Sequence, residues 1–175
     1  MTMGRLLAAV LLAALLLSRS AGAAFATKDG AVSASGLPVP RYVSLKSDHV
    51  NVRAGPTKDN DVAWVYTRSG LPVEITAEFE NWRRVRDSEG AEGWVYHSLL
   101  SGRRTAVITM KTKEEFAPLY DSADSTSAIA ARLQAGVVAQ VKHCTNGWCR
   151  VTGNGFDGWI EQQRLWGVYA DEKVD

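Results

Sequence analysis

The 175-residue sequence carries 20 lysine and arginine residues against 19 aspartate and glutamate, a formal net charge of +1. A balance this close to zero argues against nucleic acid as a partner, because affinity there comes from a concentrated basic face. The local cluster Arg83, Arg84 and Arg86 is followed by Asp87, Glu89 and Glu92, so it reads as a solvated mixed-charge surface.

The chain begins with the pattern of a secretory signal. Arg5 supplies the positive start, Leu6 to Leu17 is an unbroken apolar run, and both Ala21-Gly22-Ala23 and Ala24-Phe25-Ala26 fit the small-x-small cleavage pattern. We expect a signal peptide over residues 1–26. An apolar run this short falls below the roughly 20 residues a membrane span needs. No cysteine follows it to take a lipid, and no later segment is apolar for long enough to span. The expected product is exported, to the periplasm or beyond, with no membrane insertion. Cleavage after Ala26 removes Arg5 and Arg19 and no acidic residue, which takes the net charge to −1 and leaves room for one ordinary domain or two small ones. Residues 27–40, "TKDGAVSASGLPVP", are small, polar and proline-ended, and read as a flexible linker.

The remainder is written twice. Gly70 precedes Trp82 as Gly136 precedes Trp148, and each tryptophan leads into a short charged strand ending at Val85 or Val151. Gly93-Trp94-Val95 and Gly158-Trp159-Ile160 follow, then the leucine-ended segments His97–Leu100 and Gln162–Leu165. Fixed-spacing self-similarity of this kind marks a repeated structural unit. Val73 and Ile75 alternate with polar neighbours, as do Ala139 and Val141, which is the period of a half-buried strand. No stretch holds a helical period. The predicted architecture is therefore all-β: two tandem small barrels, over residues 41–110 and 111–168, with 169–175 as a tail. The segment Ala106–Met110 reads as a strand that closes the first barrel.

The first unit resembles the bacterial SH3 (SH3b) family through Asn51-Val52-Arg53-Ala54-Gly55-Pro56, Gly70, Trp82-Arg83-Arg84-Val85 and Gly93-Trp94-Val95. The second matches from Gly136 onward and has Ala117-Pro118-Leu119-Tyr120 where Asn-Val-Arg would stand, so it resembles a diverged copy. The resemblance implies two SH3-like barrels that act as non-catalytic modules of exported, wall-associated proteins, binding a cell-wall peptide or glycan or an envelope protein. It implies a ligand groove at Trp82, Trp94, Tyr96 and Leu99, with Val95 and Leu100 in the core and Arg83 and Arg84 near at hand for carboxylates. The corresponding places in the second unit hold Trp148, Trp159, Glu161 and Arg164, so two apolar positions are charged and the two units are not expected to share a ligand. The alternative is a structural or assembly subunit whose aromatic surfaces are buried between barrels or against a partner. The residues themselves add one argument. Trp82 and Val85 are three apart on a strand and face opposite sides, so a core Val85 turns Trp82 outward.

The only cysteines lie in Cys144-Thr145-Asn146-Gly147-Trp148-Cys149. In an exported chain they are expected to form a disulfide. Asn146-Gly147 favours a two-residue turn that sets Cys144 opposite Cys149, whereas pairing Val141 with Val151 favours a bulged loop, and the sequence leaves the register open. The first unit has Glu78 and Arg83 at the cysteine positions, an acid facing a base. No cofactor or metal is expected, since His49, His97 and His143 are too few and too scattered for a zinc site. No catalytic residue is expected either: there is no helix to present a nucleophilic cysteine, no Gly-x-Ser-x-Gly elbow, and nearly all of the chain is used by the barrels.

Overall fold

The computed structural model describes residues 31–33, 35–110 and 116–175. The expected signal peptide and the first part of the expected linker lie outside the described residues. A short hairpin, β1 (Ala31–Val32) and β2 (Pro38–Val39), precedes two seven-stranded antiparallel sheets. The first is formed by β3 (Arg41–Leu45), β4 (Val50–Arg53), β5 (Val62–Tyr66), β6 (Pro72–Phe79), β7 (Trp82–Arg86), β8 (Glu92–Tyr96) and β9 (Leu100–Ser101), in the order β5-β4-β8-β7-β6-β3-β9. The second is formed by β10 (Thr105–Ile108), β11 (Ala117–Tyr120), β12 (Ile129–Leu133), β13 (Val138–Thr145), β14 (Trp148–Gly153), β15 (Phe156–Glu161) and β16 (Leu165–Trp166), in the order β12-β11-β15-β14-β13-β10-β16. A single 3-10 turn joins the last two strands of each sheet, His97–Leu99 in one and Gln162–Arg164 in the other. The two orders are the same strand for strand, so the chain forms two tandem copies of one small all-β barrel.

Strand alternation builds each core. Val50 and Val52 from β4, Val73 and Ile75 from β6, Val85 from β7 and Val95 from β8 are all essentially inaccessible and pack with Leu45. Branched side chains suit the pleated, half-buried surface that a barrel strand offers. In the second barrel Leu119, Val141, Val151 and Ile160 occupy the matching interior, joined by both cysteines.

The hairpins settle the register at the cysteines. Thr145 pairs with Trp148 across a two-residue turn, with Asn146 at φ 50° and Gly147 at φ 78°, both in the left-handed region such a turn requires. Cys144 and Cys149 lie directly opposite and are bonded. Val141 nevertheless faces Val151, because the extra residue is not in the turn: a bulge at Lys142, between Val141 and His143, restores the core parity. The first barrel repeats the device, pairing Ile75 with Val85 and Ala77 with Arg84 around Thr76.

In that first hairpin Glu78 stands opposite Arg83, and their charged groups meet at 3.1 Å. The pair is not the simple surface contact the sequence suggests. The Glu78 side chain is 1% exposed and also holds Arg41 at 2.6 Å and the backbone N–H and hydroxyl of Ser35 at 3.0 and 2.9 Å. Burial works against its charge, but the hydrogen bonds from Arg41, Ser33 and Ser35 outweigh it and bring the carboxyl from 4.5 down to about 2. A carboxyl depressed on folding stabilises the protein above its unfolded pKa and loses that contribution as the pH falls through the folded value. Thermal melts should therefore show a loss of stability between pH 4.5 and 2 that is smaller in Glu78→Gln. At neutral pH that variant should be weaker by about 2 kcal/mol, because its buried partners lose a charged acceptor.

Three expectations on chain organisation are corrected. Strand β10 does not close the first barrel: it pairs with β13 and β16, doing in the second sheet what β3 does in the first. An apolar strand with both faces buried carries no sequence mark of which sheet it joins. Residues 169–175 are not a free tail. Val168 and Val174 are buried in the second core, and Val174 forms a bridge to Cys144. The described part of residues 27–40 is the β1–β2 hairpin, pinned to the first barrel through Ser35 and Glu78.

The barrels meet through aromatic rings. Tyr42 of β3 lies edge-on to Trp166 at 5.1 Å and against Tyr169 at 4.7 Å. The Tyr169 hydroxyl donates to Glu74 at 2.9 Å, and Arg86 holds the same carboxylate. Burial, then the bond to Glu74, raise the Tyr169 phenol above its ordinary range, so it stays protonated and keeps donating. Burial, then the Glu74 charge, push Tyr42 up to about 12. Glu74, at 4% exposure, is thus a charge buried with partners from both barrels.

Candidate functional site

Strand β7 sends Val85 inward and Trp82, Arg84 and Arg86 outward, as the spacing predicts. In β8, Gly93 and Val95 point inward while Trp94 and Tyr96 point out. Antiparallel pairing then sets Trp82 beside Tyr96 and Arg84 beside Trp94. The Trp82 and Tyr96 rings meet edge to face at 5.4 Å. Trp82 is only 7% exposed, yet it stands apart from the valine core, on the opposite face of β7 from Val85 with the Tyr96 ring against it.

The result is a groove of about 170 Å³ lined by Asn51, Arg53, Lys58, Trp82, Tyr96 and Leu99. Leu99 reaches it from the 3-10 turn after β8, and Asn51 and Arg53 from the outer face of β4. The loop after β4 is braced: Arg53 donates from Nη1 to the Asn60 carbonyl at 2.5 Å, and Asn60 donates to the Thr57 hydroxyl at 2.7 Å. Gly55 lies against this brace: a Cβ there would come within 2.5 Å of the Asn60 side-chain oxygen, and Asn60 would have to leave its place beside Thr57 to make room.

Of the site residues expected from sequence, Trp82, Tyr96 and Leu99 are brought together. Trp94 and Arg84 are not at the groove; they form the next cross-strand pair on the same face. The arginines expected to face carboxylates are engaged elsewhere, Arg84 with Glu92 at 2.6 Å and Arg83 with Glu78. The cations at the groove are instead Arg53 and Lys58. Arg53 stood in the quoted motif, but only the fold shows that β4 crosses beside β8, where Arg53 pairs with Trp94.

The second barrel has the same frame with different chemistry. Trp148 pairs with Glu161 and Arg150 with Trp159. Glu161 and Arg164, standing where Tyr96 and Leu99 stand in the first barrel, form an ion pair at 2.8 Å. Tyr120 replaces Arg53 and lies edge-on to Trp148 at 5.6 Å. A different depression opens beside Trp148, about 330 Å³, lined by Gly147, Trp148, Glu161, Gln162, Gln163, Ala170 and Asp171.

Two barrels of this strand order, one with an aromatic-floored groove beside a braced loop, define an SH3-like binding module. The model of the bacterial SH3 domain family matches residues 46–102 and again 113–167, and the chain belongs to that family, with two domains in tandem. Domains of this family are binding modules, often found in exported proteins. Among solved structures, the chain is similar to NlpC2 from Trichomonas vaginalis at 17% identity, covering 78% of this chain and 50% of that one with a TM-score of 0.34. It is also similar to NlpC1 from the same organism at 17% identity, covering 72% and 45% with a TM-score of 0.32. The chain spans about half the length of these structures. No curated protein matches it.

Proposed function

We propose that the chain is an exported, non-catalytic binding protein whose first barrel takes a carboxylate-bearing segment of a cell-wall peptide or glycan. The observation that carries this reading is the Trp82–Tyr96–Leu99 floor with Arg53 and Lys58 at its side. Tyr96 and Leu99, both half-buried, offer contact area to a sugar ring or a peptide backbone, Trp82 backs the Tyr96 ring from beneath, and adjacent cations favour a carboxylate. Export agrees with the disulfide, which belongs in an oxidising compartment. A binding role also agrees with the state of the chain's two cysteines, which are bonded to each other and so present no thiolate nucleophile. The assembly reading has the aromatic surfaces buried between barrels or against a partner. At the seam between barrels the rings are Tyr42, Trp166 and Tyr169, while the groove is lined by other residues, so the groove aromatics are not what joins the two barrels.

The test is co-sedimentation with isolated cell-wall sacculi. Wild type should pellet, Trp82→Ala should lose about nine-tenths of that binding, and the exposed charge reversal Lys58→Glu should lose several-fold while melting as wild type does. Equal pelleting of wild type and both variants, or none by any, ends the wall-binding reading.

A further inference from the structure

The two barrels differ at one end, where the hairpin that carries Glu78 in the first and Cys144 in the second approaches the 3-10 turn. In the second barrel residues 168–174 cover this end. Gln162 donates its amide to the Tyr169 and Glu172 carbonyls at 2.8 and 2.9 Å. Arg104 grips the Glu172 carboxylate at 2.7 and 3.0 Å. Val174 exchanges backbone hydrogen bonds with Cys144, and Val168 and Val174 are buried in the core. The second barrel thus holds an extended segment of its own chain through an arginine, an amide donor and an apolar floor.

The first barrel has the same frame without that segment. Arg41 pairs with Ile75 in the place where the Arg104 carbonyl meets the N–H of Val141. His97 opens the 3-10 turn as Gln162 does, and Gly102 follows the last strand as Gly167 does. After Gly167 the chain folds back over its barrel, whereas after Gly102 it runs on into β10. What the first barrel keeps there is a pocket of about 220 Å³. Its apolar lining is Val43, Ile75 and Leu100, with Leu37 on the rim, a leucine left 51% exposed. Its polar lining includes Arg41, Arg83 and His97. Both guanidiniums hold Glu78, and one carboxylate against two cations leaves a net positive charge. The bonds of Arg41 to Glu78 and Pro38, and of Arg83 to Glu78, Glu80 and Trp82, do not use all five N–H donors of either group. Their side chains stay 16% and 11% exposed, so both are open to a ligand.

We propose that this pocket docks an extended peptide segment of a partner protein, one with an aliphatic side chain close to a carboxylate. The aliphatic group rests on Val43, Ile75 and Leu100 against Leu37. The carboxylate meets Arg41 and Arg83 as Glu172 meets Arg104, and His97 donates to a backbone carbonyl as Gln162 does. The pocket shares no lining residue with the Trp82 groove, so the proposal stands apart from the wall-binding reading.

The probe is the octapeptide Val-Tyr-Ala-Asp-Glu-Lys-Val-Asp, the sequence of residues 168–175, titrated by NMR into the exported chain, residues 27–175. It should shift the Leu37, His97 and Ser101 signals saturably, with a dissociation constant on the order of 0.1–1 mM for so short a segment. A peptide with its acidic side chains replaced by amides should bind about tenfold more weakly, as should one with serine for its second valine. Leu37→Asp, at a residue half in solvent, should melt as wild type does and lose binding about tenfold or more. Lys58→Glu, at the groove, should bind within about twofold of wild type. Any of five results overturns the proposal: no saturable shift at Leu37 and His97; equal affinity for the acidic and amide peptides; binding undiminished by Leu37→Asp; binding lost in Lys58→Glu, which would move the probe to the groove; or the same shifts on raising the protein concentration alone, which would make a second copy the occupant.

Discussion

Gly93→Ala should destabilise the first barrel by about 3 kcal/mol, enough to lower its melting point by roughly 12–24 °C. Gly93 faces Val85 across β7–β8, and a Cβ there would lie 2.4 Å from Val52 Cγ1, 3.0 Å from the Trp64 ring and 3.2 Å from the Arg53 carbonyl. Val52 is fully buried and branched at Cβ, so it has no free rotamer into which to retreat. The strain falls on β4, which carries Arg53 to the groove, so ligand binding should weaken along with stability. Gly158→Ala should do the same to the second barrel, where the new carbon meets the Tyr120 carbonyl at 2.7 Å. Urea unfolding followed by intrinsic fluorescence measures both. A Gly93→Ala midpoint equal to wild type would mean that β4 yields, and would remove this account of the repeated Gly-Trp pair.

Cys144→Ala with Cys149→Ala should cost the second barrel about 2 kcal/mol from the released loop entropy alone. More should follow from packing. Both sulfurs lie in a fully buried part of the core, and Cys144 exchanges backbone hydrogen bonds with Val174, donating at 2.8 Å and accepting at 3.3 Å. Loosening the hairpin therefore loosens the C-terminal segment that Val174 anchors in the second core. Melting with and without reductant should show the same loss in the wild type, confined to the second barrel. A reductant-insensitive melt would show that the bond contributes nothing to stability.

The sequence carried a good deal of this. The doubled Gly–Trp pattern revealed two like barrels because glycine and tryptophan serve positions few other residues can fill: Gly93 and Gly158 sit where a Cβ would strike a neighbouring strand. Parity along β7 was enough to turn Trp82 away from Val85. The opposition of Glu78 and Arg83 followed from the cysteines by position alone. What could not be read depended on contacts far apart in the chain. Nothing local tells residues 105–108 which sheet to join. Tyr42 gives no hint of Trp166, nor Glu74 of Tyr169. Arg53 reaches the groove, and Arg84 does not, because of strand crossings that appear only once the barrel has closed.

The connection between barrels has a consequence for what can be bound. Only Gly102, Arg103 and Arg104 separate β9 from β10, and they span at most about 14 Å from Ser101 to Thr105. The Tyr42–Trp166–Tyr169 ring contacts add to this short tether and limit how far one barrel can turn against the other. A polymer that touched both barrels would meet them at that restricted spacing, and one of unmatched repeat would be held at one end only.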